Sequence, residues 1–170
     1  MASASSAPAQ QVIAKFGGTS VANYDAMQKS AGVVLQTPGV ALVVLSASAG
    51  ITNALIELAQ GCPRAQREKC LKQIRDTQYE ILSRLPENAV VQNEIDRLLG
   101  NITTLSDAAA LATSSALVDE IVSHGEIMST LLFTEVLREQ GAQTQWFDVR
   151  EVLKQIRDTQ YEILSRLPEN

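Results

Sequence analysis

Two short apolar runs, Val12–Phe16 and Val40–Leu45, enclose one stretch of helical periodicity, and this order restricts the fold more than any other feature of the chain. VALVVL has no polar alternation and reads as a strand buried on both faces. Between the runs, Met27, Ala31, Val34 and Leu35 recur at helical spacing over residues 23–36. Asn23 is placed to cap that helix and Asp25 lies in its first turn, where a carboxylate opposes the positive end of the helix dipole. Residues 37–39 break it. The spacing then predicts helices over about 53–60, 65–85, 89–118 and 125–140. Gly141 ends the last, and 143–149 reads as a third strand. Strands alternating with helices point to an α/β fold, a parallel sheet covered by helices. The long helical stretch before the third strand reads as an insertion on that plan.

Residues 71–88 and 153–170 are the same eighteen letters, LKQIRDTQYEILSRLPEN. Natural solenoid repeats diverge, recur at a short fixed period and come in threes or more, so an identical pair points instead to recent duplication, a truncated gene or an artefact of gene assembly. The segment is amphipathic. Leu71, Ile74, Gln78, Ile81, Leu82 and Leu85 share a face, Arg75, Glu80 and Arg84 lie off it, and Pro86 is a stop signal. In the first copy the stripe can face the domain; in the second it is expected to be uncovered, which favours self-association.

The 170 residues carry a net charge of −5 without a Lys/Arg cluster, which argues against nucleic acid and anionic membranes as partners. No apolar run is long enough to span a bilayer. Residues 1–10 lack the basic and apolar regions of a secretory signal and the arginines of a transit peptide, and read as a flexible tail. Cys62 and Cys70, far in sequence from the single His124, make neither a zinc set nor a CxxC pair, and read as reduced thiols of a cytoplasmic protein.

Three polar clusters interrupt the pattern at element ends, where ligands bind in doubly wound sheets. In Lys15-Phe16-Gly17-Gly18-Thr19-Ser20, glycines admit backbone N–H groups to phosphate oxygens and the lysine supplies charge. It is neither a Walker A loop nor a GxGxxG fingerprint, and pattern alone favours a plain tight turn. In Ser46-Ala47-Ser48-Ala49-Gly50-Ile51-Thr52, small residues leave room for a ligand and Thr52 is placed to cap the next helix; a ligand-free cap explains this as well. In Ser123-His124-Gly125-Glu126, Glu126 is expected to open a helix, and His124 is more readily structural than catalytic.

In this order the clusters resemble the aspartokinases of the amino-acid kinase family. The resemblance rests on KFGGTSVAN (15–23), VVLSASAGITN (43–53), ATSSALVDEIVSHGEIMSTLLF (112–133) and QWFDVR (145–150), covers about residues 11–152, and is closest to the monofunctional, lysine-sensitive branch. It implies a parallel-sheet sandwich of the carbamate kinase-like type, here truncated and carrying a helical insertion. The implied reaction transfers the γ-phosphoryl group of ATP, bound with Mg2+, to the β-carboxylate of L-aspartate, giving 4-phospho-L-aspartate on the route to lysine, threonine, methionine and diaminopimelate. Lys15 would contact the β- and γ-phosphates as the catalytic residue. Gly17, Gly18 and Thr19 would complete the ATP-binding loop, Ser46 and Thr52 would line the aspartate pocket, and Glu126 would hold the substrate ammonium.

The resemblance lapses at about Leu153. The family continues there to a GRGGSD-type loop with a substrate-binding arginine, then to adenine-binding segments and paired ACT domains that bind lysine. Residues 153–170 are instead the duplicated helix, so about half of the catalytic domain is expected, and an inactive fragment. The competing reading is a non-catalytic remnant that binds partners or itself. A relative acting on glutamate fits SHGE and SASAGIT less well.

Overall fold

The computed structural model describes residues 11–87 and 89–165; the flexible tail expected over 1–10 lies outside them. Strands β1 (Val12–Phe16) and β2 (Val40–Leu45) pair in parallel, with Lys15 opposite Val44 and Phe16 opposite Leu45. The register slips between Val12 and Ile13, leaving Ala41 without a partner on β1. Helix α1 (Tyr24–Gln36) makes the crossover and is capped as expected: Asn23 Oδ1 accepts the Ala26 N–H at 2.9 Å. Its buried face is Tyr24, Met27, Ser30 and Ala31. Val34 is partly buried, while Leu35 stays exposed.

Four helices follow and build most of the core: α2 (Ile51–Ala59), α3 (Arg64–Leu82), α4 (Ala89–Ala109) and α5 (Ser115–Glu139). The expected insertion is therefore the bulk of the described fold. Helix α5 packs on α1, α2 and α4 and reaches β2. It buries Met128, Leu132, Phe133 and Val136, each worth about 1.5–3 kcal/mol once out of water. The Phe133 ring meets Phe16 of β1 at 6.1 Å between centroids, tilted by 41°, which joins helix to sheet. At its far end Glu139 accepts the Tyr24 hydroxyl at 2.7 Å and thereby holds α1.

Three expected boundaries shift. The helix expected over 89–118 is two: α4 ends at Ala109, and Ser114 caps α5 by accepting the Leu117 N–H at 3.2 Å. Thr113 fixes the joint by donating to the Ala59 carbonyl at 3.0 Å. Helix α5 thus begins ten residues before the expected start, and the Ser123–Glu126 cluster sits in its interior. Helix α3 ends at Leu82, ahead of Pro86, with a turn between.

The third strand expected over 143–149 is absent: 142–148 is irregular and Val149 opens helix α6 (Val149–Ser165). A strand exists only through its ladder, and this segment makes none. Side chains hold it instead, with Trp146 Nε1 donating to Thr130 Oγ1 at 2.9 Å and Arg138 to the Thr144 carbonyl at 3.3 Å. The duplicated segment divides as expected. In α3, Ile74 is 0% exposed; its counterpart Ile156 on α6 is 51% exposed and Leu153 is 59% exposed. No helix among the described residues is long and apolar enough to cross a membrane.

Candidate active site

Parallel pairing ends both strands at the same edge, so the loops that follow them meet there. Ser46 N–H donates to the Phe16 carbonyl at 3.2 Å and Ala49 N–H to the Gly18 carbonyl at 3.1 Å. The buried Ser48 hydroxyl donates to the Val21 carbonyl at 2.7 Å. Lys15, exposed at the end of β1, reaches across with Nζ 3.4 Å from Ser46 Oγ. The two loops form one braced unit.

The paired glycines differ. A Cβ on Gly18 would lie 2.7 Å from the Ala47 carbonyl oxygen, so the close approach of the second loop already demands glycine. A Cβ on Gly17 would meet nothing within 4 Å. The protein's own packing does not require glycine there, and the space beside it is open. A single 3-10 turn (Gly18–Val21) follows, with Thr19 exposed on it.

Glu126 does not open a helix. It lies well inside α5, beyond the first turn to which the N-terminal dipole effect is confined, so that rationale fails. Packing places it instead. Gly125 lets α5 run against the second loop: a Cβ there would sit 2.9 Å from Ala47 Cβ and 2.8 Å from Leu55 Cδ1. One turn on, the fully buried Ser129 hydroxyl lies 2.8 Å from the Ser46 carbonyl oxygen and 3.0 Å from that of Glu126. One proton is shared between two acceptors and ties the Glu126 turn to the Ser46 loop. The Glu126 side chain is exposed at the mouth of a groove.

His124 is structural, as expected. It is 2% exposed, with Nδ1 2.7 Å from the Glu120 carbonyl oxygen. A carbonyl only accepts, so Nδ1 carries the proton. Thr52 does not cap α2. The cap is Gly50, at φ +80, and Thr52 is the second helical residue, exposed and without a side-chain hydrogen bond among the described residues. The structure therefore brings Lys15 and Ser46 together, seats Gly18 against Ala47 and Ala49 of the second loop, couples Glu126 to the Ser46 carbonyl through Ser129, and leaves Gly17, Thr19 and Thr52 on the flanking turns. Ser129 was not anticipated, and Gly125 and Ser48, which lie in the expected clusters, were not assigned the bracing roles they have. Their signal was small residues four apart, Gly125 and Ser129, on an otherwise bulky helix face.

Beside the site a groove of about 750 Å³ runs between β2, α5 and the irregular segment after α5. Its far wall is pinned by Arg150, which pairs with Asp148 at 2.7 Å and donates to Ser123 Oγ at 3.1 Å. The Arg150 guanidinium holds the Asp148 carboxyl below the usual carboxylate range. Away from the site, burial and then Glu57, 3.3 Å from Sγ, push the Cys70 thiol up to about 11.

A parallel pair whose loops bring together a lysine, a glycine turn and a serine, backed by a helix carrying an acid, is the candidate site that the fold presents. The chain belongs to the Amino acid kinase family, whose sequence pattern matches residues 10–170. Lysine-sensitive aspartokinase 3 of Escherichia coli (strain K12) is 60% identical over 143 residues, covering 84% of this chain and 32% of that protein. The crystal structure of E. coli aspartokinase III in complex with aspartate and ADP (R-state) matches with a TM-score of 0.81 at 60% identity, over 83% of this chain and 32% of that one. Its complex with lysine and aspartate (T-state) matches with a TM-score of 0.81 at 61% identity. The chain spans about a third of the length of these relatives.

Proposed function

We propose that this chain carries the phosphate- and aspartate-binding part of an aspartate kinase. The reaction would move the γ-phosphoryl group of ATP, with its Mg2+, to the β-carboxylate of L-aspartate, giving 4-phospho-L-aspartate for lysine and diaminopimelate synthesis in the cytoplasm. One observation carries this reading: Lys15 of β1, Ser46 after β2 and the Glu126 turn of α5, distant in sequence, converge within one hydrogen-bonded unit.

The chemical problem is bringing a carboxylate to a polyphosphate, and positioned positive charge is the main remedy. Lys15 sits where its ammonium would neutralise the β- and γ-phosphates, and its neighbour Ser46 would hold the aspartate carboxylate beside them. The open space at Gly17, with Thr19 beyond it, would admit the phosphate chain against backbone N–H groups. Glu126 would receive the substrate ammonium in a charge-assisted hydrogen bond, selecting an amino acid. Thr52, exposed on the first turn of α2, would face the same substrate carboxylate. These 170 residues span about a third of the matched relatives, and binding without turnover is the outcome we propose for them.

Calorimetric titration tests this directly. ADP and aspartate should each bind the purified chain. Lys15→Ala should weaken ADP by about tenfold or more, and Glu126→Gln should weaken aspartate with ADP unchanged. ADP release with MgATP and aspartate should show no Lys15-dependent turnover. A folded chain that binds neither ligand refutes the reading. The exposed Leu153 and Ile156 on α6 favour the second reading, a self-associating remnant, which sedimentation of Leu153→Glu beside the parent chain would reveal as a lost dimer.

A further inference from the structure

We propose that Ser129 is a positioning residue that sets the length of the amino-acid substrate, holding the two ends of the aspartate pocket at a spacing that disfavours glutamate. The inference rests on the aspartate kinase reading given above. There the substrate ammonium belongs to Glu126 on α5 and the carboxylate to Ser46 in the loop after β2. The two residues are remote in sequence, so the span between them is fixed by whatever joins α5 to that loop.

Two contacts join them. The Ser129 hydroxyl lies 2.8 Å from the Ser46 carbonyl oxygen and 3.0 Å from that of Glu126. A helical serine bonded back to its preceding turn is common and says little by itself. The bond that leaves the helix is different, because it ends on the main chain of the residue assigned to the substrate carboxylate. Ser129 is fully buried, so that bond is made away from competing water. The second contact is steric. At Gly125, α5 lies so close to the loop that a Cβ would come within 2.9 Å of Ala47 Cβ. The hydroxyl draws helix and loop together, and the bare glycine lets them meet.

Both sides of the span are stiff. Helix α5 packs on α1, α2 and α4. The loop is anchored by the buried Ser48, which donates to the Val21 carbonyl at 2.7 Å, and by the Ala49 N–H on the Gly18 carbonyl at 3.1 Å. Lys15 Nζ, 3.4 Å from Ser46 Oγ, ties the phosphate end to the same loop. A substrate whose carboxylate must reach Ser46 while its ammonium stays on Glu126 is therefore measured end to end. Glutamate is longer by one methylene and must buckle or give up a contact. One methylene is ordinarily discriminated by about 10–200-fold. Loosening the span acts on the choice between the two amino acids, and not on affinity alone.

Calorimetric titration of the full chain with L-aspartate and with L-glutamate tests this. The parent should favour aspartate by about 10–200-fold. Ser129→Ala removes the hydroxyl without adding bulk, and should lower that preference by about fivefold or more. Gly125→Ala pushes α5 off the loop and lengthens the span, so aspartate should weaken while glutamate strengthens. Ser106→Ala removes another fully buried hydroxyl, which donates to the Thr103 carbonyl at 2.8 Å on α4. There the preference should stay within about twofold of the parent. A merely structural Ser129 would weaken both amino acids alike and leave their ratio unmoved. Circular dichroism reports folding; should Ser129→Ala not fold, Ser129→Cys, of similar size but a weak donor, is read by the same ratio. Aspartate binding with that ratio unmoved overturns the proposal alone, as does an equal shift in Ser106→Ala or a Gly125→Ala variant that favours aspartate further. A folded parent that binds no aspartate overturns the kinase reading and the proposal together.

Discussion

Replacing Gly125 by alanine tests whether α5 is seated against the Ser46 loop as described. In a helix exposed to solvent the change stabilises by about 0.5–1 kcal/mol, because glycine loses more backbone freedom on folding. Gly100 of α4 is such a site: it is exposed, and a Cβ would meet nothing within 4 Å. At Gly125 the same gain is opposed by contacts of 2.8 Å to Leu55 Cδ1 and 2.9 Å to Ala47 Cβ. Carbon atoms rest at about 3.5–4.0 Å, so both are well inside contact. Leu55 can swing its methyl group aside. Ala47 cannot, because its Cβ is fixed to the loop backbone, and overpacking of this kind costs about 1–3 kcal/mol. The net expectation is a loss of about 1 kcal/mol for Gly125→Ala and a gain of about 0.5–1 kcal/mol for Gly100→Ala. Urea unfolding should separate the two midpoints at unchanged slope, and thermal midpoints should differ by about 4–8 °C. Since Ala47 adjoins Ser46, aspartate affinity should fall in the first variant and hold in the second. Equal stabilisation by both would refute the close seating of α5.

The duplicated segment offers a second comparison. Ile74→Ala should cost about 2–5 kcal/mol in urea unfolding, and Ile156→Ala less than about 0.5 kcal/mol, although the flanking sequence is the same. For Cys70, the folded thiol ionises near 11 against an ordinary 9.0, so the unfolded chain releases its proton first. Stability should therefore be undiminished below pH 9 and fall as pH rises from there towards 11, a decline that Cys70→Ala removes. Asp148 has the opposite sign, its carboxyl being held low by Arg150. The segment pinned by the Asp148–Arg150 pair should hold above the usual carboxylate range, weaken as pH falls through it and open beneath it, as reported by fluorescence of Trp146, the single tryptophan. Asp148→Asn should show the opened signal already at neutral pH.

Much of the fold was legible because local signals and packing agreed. The first two strands, the Asn23 cap and the α3 stripe each announced themselves by period or by a single polar residue, and these appear as expected. The joint between α4 and α5 was written too, in Thr113 and Ser114, but apolar periodicity runs through it and hid the cap. The 143–149 segment misled for the converse reason. Its alternation suits a strand, yet a strand depends on a neighbour that no local pattern can supply. In the site, Lys15 and Ser46 could be placed because they end strands, where neighbouring loops must meet. Glu126 was singled out for its position at a helix start and is held by a different device, the Gly125 contact and the Ser129 bridge. Both depend on elements remote in sequence, which is why residue type alone could not show them.

Eighteen identical letters in two settings make the molecule its own reference for helix protection. Intrinsic propensity, side-chain shielding of neighbouring amides and the unfolded-state exchange rate cancel between Ile74 and Ile156. Whatever difference in deuterium uptake remains between those amides measures the contribution of the surrounding core alone, free of the sequence corrections that such comparisons ordinarily need.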